Sequence, residues 1–90
     1  MVSPGGVTAL SQRYSRVLRE SYVSVEISIN IAVIKTVSGM AMAAAAALDS
    51  LDWPELLGCI AGDDTVMCIL RDPSDADSFK KKLSESVTEG

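Results

Sequence analysis

The chain has 90 residues, with 8 Lys and Arg against 12 Asp and Glu and a formal net charge of −4, so it reads as one small acidic domain. An acidic surface disfavours free-standing nucleic-acid binding, which needs a basic face, and the four aromatics Tyr14, Tyr22, Trp53 and Phe79 are too few for a base-stacking platform. The absence of histidine removes the Ser-His-Asp and Cys-His nucleophile arrangements and every His-containing metal site, leaving carboxylates and thiols as the only bearers of chemistry.

Residues 1–8 contain Pro4, Gly5 and Gly6, a composition that predicts a linker or disordered tail, with the domain proper spanning residues 9–90. In residues 9–20, Leu10, Tyr14, Val17 and Leu18 recur at helical spacing and predict an amphipathic helix. Arg13, Arg16 and Arg19 occupy another face of it. A row of three charges is ordinary for a solvated face, and approach to a phosphate backbone is the less economical meaning. Next, Val23, Val25, Ile27 and Ile29 alternate with Tyr22, Ser24, Glu26 and Ser28, which predicts a strand with four branched aliphatics on one side. Asn30 supplies a turn. Residues 31–37 return as a second strand, with Ala32, Ile34 and Thr36 on one face and Ile31, Val33, Lys35 and Val37 on the other.

Ser38 has the chemistry of a helix N-cap, and residues 40–51 are rich in alanine, the best helix former, until Pro54 forbids continuation. The five consecutive alanines at 43–47 suit a helix that must approach its neighbours closely. Residues 56–61 and 65–70 are short runs of strand formers, separated by Gly62, Asp63 and Asp64, which favour a hairpin turn. Asp72 or Ser74 can cap a last helix that carries Asp75 and Asp77 early and Lys80, Lys81 and Lys82 later, the order its dipole favours. Ala76, Phe79 and Leu83 form the stripe expected to be buried.

The predicted fold class is therefore α+β: a two-layer sandwich with a four-stranded antiparallel sheet, built as a β-β-α-β-β-α core preceded by an N-terminal helix. A chain of this size buries only about 60–65% of its unfolded surface. The second and fourth strands are apolar on both faces while helices cover one, so the surplus face calls for another copy of the chain, and an obligate homo-oligomer is expected. Cys59 and Cys68 lie inside apolar runs, without zinc-site spacing and too few for a disulfide framework, and read as reduced thiols acting as small hydrophobes. No apolar run is long enough to span a bilayer and no basic-then-apolar signal opens the chain, so a cytoplasmic protein with no membrane partner is expected.

The chemically distinctive group is Gly62-Asp63-Asp64 at the hairpin tip, with Asp49 and Asp52 at the end of the alanine helix. Adjacent carboxylates repel unless a cation sits near them. Three readings remain open for them. They can be turn chemistry alone, a divalent-metal motif for phosphoryl transfer, or a receptor for a guanidinium, whose planar donor fork matches carboxylates.

Residues 31–70, and above all Val33-Ile34-Lys35-Thr36, Leu48-Asp49-Ser50-Leu51 and Leu57-Gly58-Cys59-Ile60-Ala61-Gly62-Asp63-Asp64-Thr65, closely resemble the C-terminal domain of bacterial arginine repressors. More weakly, the resemblance covers residues 10–87. It implies an arginine-sensing oligomerisation domain of a transcriptional repressor of arginine metabolism, in which trimers stack as hexamers and L-arginine binds as corepressor at the trimer–trimer interface. Operator DNA is then read by a separate N-terminal winged helix-turn-helix domain, for which these 90 residues leave no room. Carried over by position, Asp63 receives the guanidinium from the neighbouring trimer, Asp64 assists, and Asp49 lies beside them. The backbones of Cys59 and Ala61 hold polar ends of the ligand. Three positions depart from the family's pattern: Ser38 replaces proline, Cys59 replaces threonine, and Met42 replaces a ligand-binding glutamine whose amide methionine lacks. The resemblance implies no catalysis, no metal and no cofactor beyond the corepressor. A structural oligomerisation module with lost or altered ligand specificity is the alternative, and a carboxylate-based enzyme comes third for want of a base or nucleophile.

Overall fold

The computed structural model describes residues 4–88, with side chains from residue 12 onward. Helix α1 (Pro4–Ser21) leads into strands β1 (Tyr22–Ser28) and β2 (Ile31–Thr36), helix α2 (Ala41–Leu51), strands β3 (Leu56–Ala61) and β4 (Thr65–Leu70), and helix α3 (Ala76–Thr88). The four strands form one antiparallel sheet in the order β1-β2-β4-β3, and the helices pack against one another and the sheet, the α+β arrangement expected. One boundary differs. α1 starts at Pro4 and not at residue 9, because proline is tolerated at the first helical position, where an amide would have no intrahelical partner. Residues 1–3 of the expected tail, and residues 89–90, lie outside the described part.

The inner face of the sheet carries Ala32, Ile34, Val66, Cys68, Leu70 and Leu56, which are buried with Leu18 of α1 and with Phe79 and Leu83 of α3. α2 presents Ala41, Ala44, Ala45, Ala47 and Leu48 to this core, whereas Met42, Ala43 and Ala46 face outward. The alanine run thus does what short side chains allow, seating a helix close to the sheet and to α1. At the opposite end, Trp53 meets the edge of Phe79 with ring centroids 5.7 Å apart and the planes at 77°.

β1 departs from the alternation expected. A bulge between Tyr22, which pairs with Thr36, and Ser24, which pairs with Lys35, leaves Val23 unpaired and 56% exposed. Tyr22 takes its place against the core beside Val25 and Ile27. Ile29 is not a strand residue but turns the chain with Asn30. Its φ of +58° is rare for a β-branched residue, and its side chain is 74% exposed. Asn30 behaves as the turn residue expected, accepting from the Leu70 amide at 2.8 Å and donating through Nδ2 to the Leu70 carbonyl at 3.3 Å. Asp72, not Ser74, caps the short 3-10 turn Pro73–Asp75 that enters α3, accepting from the Ser74 amide at 2.9 Å.

α3 is locked to the start of β3 by Glu55. This buried carboxylate accepts from the Ser78 hydroxyl and from Lys82 Nζ at 2.9 Å. The Ser78 bond first, then Lys82, hold its carboxyl below the usual range, against the effect of burial.

Two outcomes follow from this packing. Ala44→Leu forces a larger side chain into the α2–sheet contact and should lower unfolding stability by about 1–3 kcal/mol, while Ala43→Leu, on the exposed side, should leave it within about 0.5 kcal/mol. Denaturant titration of both variants decides the matter. Because the folded pKa of Glu55 lies below its ordinary value of 4.5, its contribution is present above that pH and lost as acid carries the protein through the folded pKa. Glu55→Gln should therefore cost roughly 1–2 kcal/mol at neutral pH, moderated because Lys82 is partly solvated, with the gap closing in acid. A gap that stays constant with pH would contradict the assignment.

Candidate functional site

The Gly62-Asp63-Asp64 turn joins β3 to β4 and closes with the Gly62 amide donating to the Thr65 carbonyl at 2.9 Å. Its position is set by backbone contacts with the start of α2. The carbonyl of Asp63 accepts from the Gly39 amide at 3.1 Å and the Ala41 amide at 3.2 Å, and the carbonyl of Asp64 accepts from the Thr36 amide at 2.8 Å. Helix α2 thus has no side-chain cap. Met40 holds the N-cap position, and the hairpin turn satisfies a first-turn amide that would otherwise be orphaned. Gly39 makes this bend possible, since its φ of +81° lies in the left-handed region.

Ser38, expected to cap the helix, instead donates its hydroxyl to Asp63 Oδ2 at 3.2 Å. Two residues, one of them the left-handed Gly39, separate Ser38 from the helix, and Met40 takes the cap position instead. Asp64 is engaged from the other side. Lys35 Nζ donates to Thr65 Oγ1 at 2.9 Å, and that hydroxyl donates to Asp64 Oδ1 at 3.0 Å. Both carboxylates remain exposed at the sheet end, beside the positive end of the α2 dipole. Met42, in the first turn of α2, is 73% exposed.

Asp49 lies elsewhere. It sits eight residues beyond the start of α2, about 12 Å along the helix axis, where its Oδ1 accepts from the Cys59 thiol at 3.5 Å. The expected grouping of Asp49 and Asp52 with Asp63 and Asp64 is therefore not assembled within one chain. α2 separates the two pairs, because the hairpin tip docks at its N-terminus and not at its C-terminus. Asp52 ends the helix in the left-handed conformation, at φ +54°. Among the described residues no group of three or more Cys, Asp or Glu side chains could hold a metal ion.

Cys59 and Ala61 lie half-buried on the inner face of β3, an edge strand that leaves part of its backbone unpaired by the sheet. The Cys59 thiol reaches the Ala45 carbonyl at 3.7 Å as well as Asp49, and it faces Cys68 directly across the β3–β4 ladder. The neighbouring Cys68 lowers the Cys59 pKa, against burial and the Asp49 charge, and Cys59, together with burial, pushes the Cys68 thiol up. The Ser38–Asp63 bond, the Lys35–Thr65–Asp64 relay and the Cys59–Asp49 contact were not foreseeable from spacing. Each joins residues that only strand pairing or helix docking brings together.

The family described as the arginine repressor C-terminal domain matches residues 18–85. Relatives include arginine repressors of Lachnoclostridium phytofermentans, 50% identical over 80 residues (89% of this chain, 53% of the relative), and of Lachnospira eligens, 46% identical over 77 residues (86% and 51%). The arginine repressor of Bacillus subtilis is 38% identical over 73 residues, covering 81% of this chain and 49% of the relative. The chain thus spans about half the length of these relatives, which are named as regulators and not as enzymes. By the extent of that match and by a fold with the sheet and hairpin turn where the resemblance put them, the chain belongs to the arginine repressor C-terminal domain family.

Proposed function

We propose that the chain is the arginine-sensing, oligomerising part of a cytoplasmic transcriptional repressor of arginine metabolism, with L-arginine as corepressor at an interface between two stacked trimers. The observation that carries this reading is the Asp63-Asp64 pair, whose backbone is clamped to α2 and β2 while both side chains stay exposed. Two carboxylates held this way repel each other and form a preorganised receptor for a planar cation. Asp63 takes the guanidinium of an arginine held mainly by the opposite trimer, and Asp64 assists. The split between the two ends of α2 supports a shared site, since Asp49, held beside Cys59, lies eight residues along α2 from the helix start where the Asp63 turn is docked, and the Ala61 backbone runs between the two.

A cation bridging carboxylates of two trimers relieves their repulsion only in the stacked hexamer, so binding and assembly are linked. Trimer formation covers the outer sheet face. Contact with operator DNA is assigned to a separate N-terminal domain, in keeping with the acidic balance of these 90 residues. No catalytic step and no cofactor other than the ligand enter this reading. No helix of the described residues is long and apolar enough to cross a membrane.

Met42 favours a second reading, a structural oligomerisation module whose ligand specificity is lost or altered, because its exposed thioether offers no amide to a ligand. Calorimetry with L-arginine separates the two. On the first reading the parent binds, Asp63→Asn weakens binding by about 1.5–3 kcal/mol, the worth of a hydrogen bond to a charged group, and Met42→Gln tightens it. Unchanged affinity in Asp63→Asn would place the guanidinium elsewhere. No binding by the parent or by Met42→Gln would leave the structural module.

A further inference from the structure

We propose that Cys59 and Cys68 form a reversible modification site, a cross-strand dithiol that closes to an intrachain disulfide when the protein meets a peroxide. The two residues are direct partners in the antiparallel β3–β4 ladder, so both side chains leave the sheet on the same face. Directly opposed residues have Cα atoms about 4.5 or 5.5 Å apart, according to their place in the hydrogen-bond pattern, and both spacings fall within the roughly 4.4–6.8 Å that a disulfide spans. Both thiols are free.

Their surroundings divide the labour. Cys59 is half-buried and within reach of a small oxidant, whereas Cys68 is fully buried and meets only its neighbours. Accessibility sets the order: Cys59 meets the oxidant and reacts first through its thiolate, and Cys68, shielded but directly opposite, is the sulfur that resolves. In the first step the Cys59 thiolate attacks one peroxide oxygen; the O–O bond breaks and hydroxide leaves, taking up the proton released by the thiol to give water. This leaves Cys59 as a sulfenic acid. In the second step the Cys68 sulfur attacks that of Cys59; the S–S bond forms, the S–O bond breaks, and hydroxide departs with the Cys68 proton as a second water. Two thiols lose two electrons in total and one hydrogen peroxide is reduced to two waters.

Closure has a structural consequence. The Cys59 thiol proton that reaches Asp49 Oδ1 and the Ala45 carbonyl is lost, so the last turns of α2 lose their polar link to β3. The chemistry itself does not depend on arginine being the ligand.

The test is treatment of the folded 90-residue chain with hydrogen peroxide, followed by alkylation under denaturing conditions and mass spectrometry. The expected result is the loss of two hydrogens, no alkylation, and a linked peptide pair containing Cys59 and Cys68, all reversed by dithiothreitol. Cys68→Ala should then trap Cys59 as a dimedone-reactive sulfenic acid, and Cys59→Ala should leave Cys68 unreacted in the folded protein. Accumulation of Cys59 sulfinic acid or of Cys59-linked dimers in the parent would overturn the proposal. So would two thiols that stay alkylatable at peroxide concentrations oxidising the urea-unfolded chain. Neither result bears on whether the parent binds L-arginine, so the two readings fail separately.

Discussion

Among the described residues, three helices cover one face of a four-stranded sheet and leave the other bare, and the rest of the molecule is organised around this constraint. The uncovered face is not polar. Across it run the rows Ser28-Ile31-Ile69-Gly58 and Glu26-Val33-Met67-Ile60, so apolar side chains line up over three adjacent strands. Ile31, Met67 and Ile60 are all exposed, the last at 75%, with Leu57 beside them on the β3 bulge. Water against such a continuous patch is unfavourable, and a monomer of this size has little stability with which to offset it. Polar residues appear only at the β1 edge and at the Lys35–Thr65 end, nearest the hairpin turn.

The covered face has the opposite character, and it aims the site. Because alanines line the buried side of α2, the helix sits low on the sheet, and its first turn meets the β3–β4 hairpin. The Asp63 carbonyl accepts from the helix entry there. One carbonyl therefore replaces a side-chain cap and fixes the direction of two carboxylates. The same seating brings the last turn of α2 over Cys59, so core packing alone orients both halves of the proposed ligand site.

Periodicity revealed most of this plan, since element types and order follow from alternation in strands and the alanine and amphipathic runs in helices. What it missed were places where one residue breaks register without breaking the pattern. Val23, Val25, Ile27 and Ile29 alternate without interruption, yet a bulge turns Val23 outward and a tight turn takes Ile29. No local signal marks either, because a bulge is decided by the partner strand. The Gly-Asp-Asp turn was legible as a turn, and its neighbours were not. Ser38 has ideal capping chemistry, but the Asp63 carbonyl reached the helix start first. Asp49 is fourteen positions from Asp63 in the chain, and only the docking of the hairpin decides that they stand at opposite ends of α2.

Sedimentation velocity at micromolar concentration, with and without L-arginine, tests most directly whether the uncovered sheet face is an interface and whether the carboxylate pair links ligand to assembly. Trimers without ligand and a shift to hexamers as arginine is added are the expected result, because a ligand bound only in the stacked state adds its binding free energy to that state. A protein that sediments as a monomer under both conditions would contradict it.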